Sequence, residues 1–390
     1  MKTICFCNST LAWGGGENWH FNAALSFARR GWRVLLLCHP DGALYRRAAG
    51  AEGIRAVPMP LGRLSFLNPF TARRLARFFH SEQVHALIMN LPADLKAAGP
   101  AARAAGVPHV IYRRGSALPV RNSALNRKLY GSVITRLIVN SEATRAQALA
   151  NNPNLIPAER ITVLPNGVDI EAFDAALAEA AEAAPPRPAR PFVIGNAGRL
   201  NRQKGQHMLL HLGRRLVDAG LDARVVIAGT GEREAELKEL AIALGMAERT
   251  AFTGFMHNLA PFWLAIDLFV LTSLWEGFGN VIIEAGLARK PVFAFAVSNL
   301  PELISEGGNG RLFPLPEEER AACPDYNGKA GDAAGAAEAG PYAALDAMAE
   351  GVLELAGNEE ALRRMGESGR VAAGRYSQGA CMDRLEKLVE

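Results

Sequence analysis

The chain has 390 residues, 49% of them hydrophobic and 21% charged, with a formal net charge of +4 at pH 7. That length suits two domains, and that balance describes a globular protein with ample core, which excludes a disordered or collagen-like chain. No apolar run of about eighteen residues occurs, so no membrane-spanning helix is expected.

The chain opens with Met1-Lys2-Thr3 and a short strand, Ile4-Cys5-Phe6-Cys7, without the apolar stretch of a signal peptide. The five cysteines, Cys5, Cys7, Cys38, Cys323 and Cys381, contain no C-x-x-C pair and are odd in number. They read as free thiols in a reducing cytoplasm. Gly14-Gly15-Gly16-Glu17 follows the strand, and a helix is expected over 18–30. Glycines let backbone approach a ligand closely, but the spacing is not that of the dinucleotide fingerprint. A flexible turn is the plain alternative.

Residues 1–175 hold 21 Lys and Arg against 10 Asp and Glu, an excess of +11, whereas the remaining residues hold 22 against 29. A basic first half attracts an anionic surface or substrate. Two segments are candidates for that contact: residues 71–79, with Arg73, Arg74 and Arg77, and residues 126–130. The first mixes arginine with apolar residues at helical spacing, as interfacial helices do. It equally fits a helix that turns Leu75, Phe78 and Phe79 into the core. No nucleic-acid-binding module is recognisable.

The strand His109-Val110-Ile111-Tyr112 leads into Arg113-Arg114-Gly115, and Val139-Asn140-Ser141-Glu142 ends another. A boundary is expected within 175–191, where Pro185-Pro186-Arg187-Pro188 forms a stiff linker. Beyond it, Phe192-Val193-Ile194-Gly195-Asn196-Ala197 reads as a strand, followed by Gly198-Arg199-Leu200-Asn201-Arg202-Gln203-Lys204-Gly205 and a helix over 206–219. Arg199 and Lys204 together can neutralise a diphosphate, Arg as a planar fork and Lys as a point charge. Otherwise they are solvated loop cations. His207 and His211, four apart on that helix, lack a third ligand, so no metal site is expected there.

The apolar run Leu268-Phe269-Val270-Leu271 predicts a buried parallel strand. Trp275-Glu276-Gly277-Phe278-Gly279-Asn280 then forms a turn, and Glu284 sits in the helix after it. This strand–loop–helix layout puts Glu276 at a strand end, where open α/β sheets bind ligands. Carboxylates accept from sugar hydroxyls, and N–H groups at a helix start donate to sugar or phosphate oxygens. Residues 316–341, rich in Ala, Gly and Glu, read as an enlarged loop. Helices follow over 342–355, 359–373 and 378–389.

Together these residues resemble the retaining glycosyltransferases of family 4 (group 1). Val163-Leu164-Pro165-Asn166-Gly167-Val168-Asp169, Ile227-Ala228-Gly229-Thr230-Gly231, Phe252-Thr253-Gly254-Phe255, Pro301-Glu302-Leu303-Ile304 and Asn309-Gly310-Arg311-Leu312-Phe313 match that family's segments. The resemblance implies an α/β GT-B fold, two Rossmann-like domains with parallel sheets facing a central cleft. Residues 1–175 would form an acceptor-binding domain and 190–375 a domain binding the nucleotide-sugar donor. Residues 376–390 would form a helix crossing back to the first.

By the same resemblance Arg199, Lys204 and Glu276 are catalytic, and Glu284 holds the ribose. Gly15, Gly16, Gly277, Phe278, Gly279 and Asn280 contact the donor, and Phe255 and Met256 read its base. Arg113, Arg114 and Ser141 are contacts to acceptor or donor sugar. Arg113 stands where many members have a histidine, and Ser298-Asn299 stands where they have Gly-Gly before Pro-Glu-Leu. The implied activity moves a sugar, UDP-linked, to a glycan or glycolipid of bacterial surface polysaccharide. No cofactor or metal is implied, and the protein would be cytoplasmic or peripheral on an anionic membrane. A sugar-nucleotide epimerase, a disaccharide synthase and an inactive nucleotide-sugar-binding protein are the alternatives.

Overall fold

The computed structural model describes residues 1–116, 118–184, 191–322 and 342–390. It divides into two compact units, one formed by Met1–Gly167 with Gln378–Glu390 and the other by Val168–Ser377. Each is built on one parallel sheet.

The first unit's strands are β1 (Thr3–Asn8), β2 (Arg33–Cys38), β3 (Ile54–Pro58), β4 (Val84–Met89), β5 (His109–Arg114), β6 (Arg136–Val139) and β7 (Ile161–Val163). They lie in the order β3-β2-β1-β4-β5-β6-β7. The second unit's strands are β8 (Phe192–Ala197), β9 (Ala223–Ala228), β10 (Thr250–Gly254), β11 (Leu268–Leu271), β12 (Val292–Phe295) and β13 (Gly310–Phe313), in the order β10-β9-β8-β11-β12-β13. Parallel strands are covered on both faces and therefore read as continuous apolar runs. Accordingly β1, β11 and β12 are buried along their whole length. In each sheet the chain winds outward from its first strand, then returns to that strand's other side. The order thus reverses at β1/β4 and at β8/β11, and at such a switch point the loops leaving the carboxyl ends diverge to opposite faces and open a crevice.

Three sequence expectations shift. The helix expected from residue 18 is Gly15–Arg29, so the glycines form its first turn. A Cβ on Gly16 would come within 2.7 Å of Asn90 Nδ2, which is why the turn can pack there. The division between units falls after Gly167 rather than within 175–191. The helix Ile170–Ala183 belongs to the second unit because Ile170, Phe173 and Leu177 pack on that unit's core. Asp174 also receives a two-pronged bond from Arg370, at 2.8 and 2.6 Å. The proline-rich linker and Cys323 lie outside the described residues, as does the loop from 323 to 341; the segment before it includes the helix Glu317–Ala322.

The last helix, Gln378–Lys387, packs on the first unit, with Met382 and Leu385 buried beside Phe27 and Leu36. Glu386 there accepts from Trp32 Nε1 at 2.6 Å and Arg30 Nη1 at 2.7 Å. In the helix Pro69–Ser81, Leu75 and Phe79 are buried and Phe78 half-buried, so its apolar face belongs to the core, while Arg73, Arg74 and Arg77 are exposed.

Candidate functional site

The second unit's crevice is made by the loops after β8 and β11, which are neighbours in register (Leu268 beside Ile194, Phe269 beside Gly195). The two loops interlock. Leu274 N donates to Gln203 O at 2.8 Å, Gln203 Nε2 to Trp275 O at 3.0 Å, and Thr272 Oγ1 to Gly205 O at 2.9 Å. Gly205, at φ 60°, is left-handed, and a Cβ there would meet Thr272 O at 2.1 Å, so only glycine fits this close approach.

Lys204 closes a single 3₁₀ turn, Arg202–Lys204, whose cap is Asn201. Its Nζ pairs with Glu276 Oε1 at 2.6 Å, and Ser273 Oγ donates to the same oxygen at 2.6 Å. Glu276 is 4% exposed and the lysine side chain 16%. Lys204 is therefore not a solvated loop cation. It is the counter-ion of a nearly buried acid, and two of its three N–H groups remain for a ligand. Arg199 is exposed and makes no side-chain hydrogen bond or ion pair among the described residues. Its backbone is fixed by Gln206 Nε2, which donates to Arg199 O at 3.1 Å.

Past Glu276, Gly277 and Asn280 are half-buried and Phe278 and Gly279 buried. Gly279, at φ 82°, caps the helix Asn280–Leu287 without any side-chain bond. The cap residue itself, a glycine, supplies no side-chain acceptor to the helix start. Glu284 follows on that helix. It is half-buried, has no hydrogen-bond or ionic partner among the described residues, and burial pushes its carboxyl up to about 7. Phe255 is exposed and Met256 half-buried in the loop after β10, with Phe255 edge-on to His257 at 4.8 Å.

Ser298 and Asn299, the departure from Gly-Gly, hold this loop. Ser298 takes φ 52°, the left-handed conformation that glycine adopts freely, and its Oγ accepts from Glu276 N at 3.0 Å. Asn299 Nδ2 donates to Phe278 O at 2.7 Å. Side-chain bonds replace backbone permissiveness.

The first unit's switch point carries a different set. Gly15 is exposed and Gly16 half-exposed at the start of a helix with no side-chain cap. Asn8 Nδ2 donates to Glu17 Oε1 at 3.1 Å. Ser9 Oγ donates to Asp94 Oδ1 at 2.5 Å, and burial raises that acid to about 6. Arg113, at the end of β5, is 2% exposed. It donates to Asn90 Oδ1 at 3.1 Å and Asn166 Oδ1 at 2.6 Å, and lies 4.2 Å from the Trp19 ring. Arg114 donates to Leu118 O. Ser141 is buried and caps the helix Glu142–Leu149, its Oγ accepting from Thr144 N at 3.0 Å. Asn90, Trp19, Asp94 and Ser273 were not legible as site residues, because nothing local marks a polar residue whose partner is far along the chain.

His207 and His211 are buried edge-on to Tyr342, at 5.9 and 5.8 Å. Among the described residues no group of three or more His, Cys, Asp or Glu is arranged to hold a metal ion.

Because alanine cannot enter the left-handed region freely, Ser298→Ala loses the bond to Glu276 and keeps the strain. A loss of about 1–2 kcal/mol is expected in denaturant unfolding, with Ser298→Gly losing less. If Ser298→Gly is as unstable as Ser298→Ala, the backbone there is not strained.

A family model described as "Glycosyltransferase Family 4" matches residues 13–172, and one described as "Glycosyl transferases group 1" matches residues 161–323. A 2-deoxystreptamine glucosyltransferase of Streptomyces kanamyceticus is 30% identical over 226 residues, which is 54% of this chain and 58% of that protein. A lipopolysaccharide core biosynthesis mannosyltransferase of Rhizobium meliloti is 35% identical over 153 residues, 37% of this chain and 43% of that one. The chain spans about half the length of the curated relatives it matches. Among solved structures, Anabaena HepE in complex with UDP-glucose superposes with a TM-score of 0.76 at 21% identity, covering 100% of this chain and 99% of that one. The lipopolysaccharide outer core galactosyltransferase WaaB superposes with 0.70 at 16% identity, covering 99% and 98%. Likeness at such identity speaks for the fold, two parallel-sheet Rossmann-like domains of the GT-B kind. The two family models, which together run from residue 13 to residue 323, show that the chain belongs to the family 4, group 1 glycosyltransferases.

Proposed function

We propose that the protein is a retaining, metal-independent glycosyltransferase that moves a sugar from a UDP-sugar to a hydroxyl of a glycan or glycolipid in bacterial surface-polysaccharide synthesis. The observation that carries this is the pairing of Lys204 with Glu276 at one switch point, on two neighbouring loops of which one also carries Arg199 and the other leads into a helix start capped by glycine. Leaving-group departure puts negative charge on the diphosphate, and fixed cations and N–H dipoles aimed at it lower that barrier. Lys204 and Arg199 supply the cations. In the reaction the C1–O bond to phosphate breaks, the acceptor oxygen bonds C1 on the same face, and the acceptor's proton goes to the departing phosphate oxygen. Glu276, engaged by Lys204 and Ser273, is occupied as their partner and orients the donor sugar rather than attacking it. The UDP-glucose complex of HepE and the lipopolysaccharide relatives support the donor and acceptor class.

Lys204→Ala should lower turnover about a hundredfold or more. Because it strands Glu276, it should also cost about 1–3 kcal/mol of stability. Transfer should persist in excess EDTA. Wild-type turnover in the variant removes Lys204 from the reaction, and EDTA inactivation reversed by magnesium or manganese removes metal independence.

Glu284 ionises near 7 rather than at the usual 4.5. Stability therefore falls as pH rises between those values, as the buried carboxyl is forced to charge. Ribose hydroxyls donate to the ionised form, so UDP affinity should weaken below pH 7, by at most about tenfold per unit. Glu284→Gln should bind more weakly and lose that pH dependence relative to wild type; an identical pH profile in titration calorimetry removes Glu284 from the ribose site.

The protein acts, on this reading, at the cytoplasmic face of the membrane. No helix among the described residues is long and apolar enough to cross a bilayer. Leu64, Leu67 and Phe70 are 71%, 65% and 74% exposed, next to the exposed Arg73, Arg74 and Arg77. Apolar insertion plus arginine attraction, about 1 kcal/mol per basic residue near an anionic surface, favours peripheral binding. Cosedimentation with anionic vesicles at low salt, reduced by replacing the three arginines with Gln, is expected. It should fail at high salt, where the Debye length falls from about 10 Å at 0.1 M to about 3 Å at 1 M. Equal binding to neutral vesicles would exclude this surface as the electrostatic contact.

A further inference from the structure

Arg113 is a buried cation without an anion. It is 2% exposed and forms no ion pair among the described residues. Its two bonds go to neutral amide oxygens, Asn90 Oδ1 and Asn166 Oδ1, and its Nε–H has no partner. The guanidinium carries five donors in a fixed fork, so most of them are unspent. Directly beside it, Trp19 lies at 4.2 Å, 6% exposed, and its Nε1–H is also without a partner. Glu17 acts on Arg113 only from beyond ion-pair distance, and burial lowers the guanidinium's pKa to about 9. No second cation competes, since burial and the neighbouring guanidinium hold His20 near 3.

An unpaired buried charge is costly, and such cost persists where something else requires it. The surroundings say what. Asn90, half-exposed, is bonded to Arg113 and lies against Gly16 in the first turn of the fifteen-residue helix Gly15–Arg29. That helix start is uncapped and partly open, with Gly15 exposed. An orphaned guanidinium, an orphaned indole N–H and a helix N-terminus thus meet at the β1/β4 switch point, and all of them favour an acceptor bearing negative charge. Sugar hydroxyls alone would not call for a buried full charge.

We propose that Arg113 is the counter-ion for an acidic group, a carboxylate or a phosphate ester, on the sugar-bearing acceptor taken by the first unit. This rests on the reading of that unit as the acceptor side of a glycosyltransferase. The acidic oxygens displace Asn90 from Nη1 and engage the fork, and the acceptor class is an acidic glycan rather than a neutral one.

Trp19 reports on the site without any need for turnover. The five tryptophans give five indole N–H signals when ¹⁵N-labelled, and Trp19→Phe identifies the relevant one. The full chain is titrated with inorganic phosphate, with sodium glucuronate and with glucose. A saturable movement of the Trp19 signal is expected with phosphate or with glucuronate and not with glucose; which anion acts distinguishes a phosphate ester from a carboxylate. Arg113→Met should abolish the movement, and Arg113→Lys, which keeps charge but loses the fork, should raise the apparent Kd tenfold or more. No saturable movement with either anion, an unchanged response in Arg113→Met, or an unchanged Kd in Arg113→Lys would each overturn the proposal. The Lys204→Ala variant separates the two readings. It should leave the Trp19 titration intact, and its turnover reports on the transfer reaction alone.

Discussion

Both units depend on one constraint: every strand in each sheet runs parallel to its neighbours. Parallel strands cannot be joined by tight turns, so each connection crosses over through a helix, and all carboxyl ends gather on one edge. Winding outward from β1 and from β8, then returning to the far side of each, leaves one place per sheet where adjacent loops part. The charged residues described above are found around those two places. Lys204 and Glu276 come after β8 and β11, Glu17 and Asn90 come after β1 and β4, and Arg113 lies at the end of β5.

The two switch points store charge differently. In the second unit a nearly buried acid is matched by a lysine and a serine hydroxyl, so that pair is neutral and held in place before any ligand arrives. Preorganisation of that kind lets a fixed dipole act without rearranging during reaction. A few residues on, Glu284 has no hydrogen-bond or ionic partner among the described residues, and burial raises its pKa. In the first unit Arg113 is held in place by neutral amides and an aromatic face, which position it without cancelling its charge.

Backbone geometry ties these groups to the sheets. Gly205 lets the β8 loop pass within contact of Thr272, so the loop bearing Lys204 is bonded directly to the loop bearing Glu276. Ser298 shows the same need met by another route. A left-handed residue is required there, and where serine supplies it the hydroxyl gains a bond to the backbone of Glu276.

The sequence by itself determined the class and order of elements. Continuous apolar runs such as Leu268–Leu271 can only be strands covered on both faces, and glycines after them mark the loops. It also put Arg199, Lys204, Glu276 and Glu284 on the loops and helix that follow two strands, because their motif spacing is local. Tertiary structure decided what no local pattern carries. Lys204 looks like a solvated cation in its own segment and becomes the counter-ion of a buried acid, Glu276, 72 positions away in the chain, only when β11 is set beside β8. Ser141 turns out to cap a helix, a role its own segment does not announce. The helix 69–81 fitted either lipid or core, and packing on the sheet settled its apolar face into the core. Arg113 could be named from the sequence, but its lack of an anion could not. Absence of a partner is a property of everything within reach, and only the folded chain defines what is within reach.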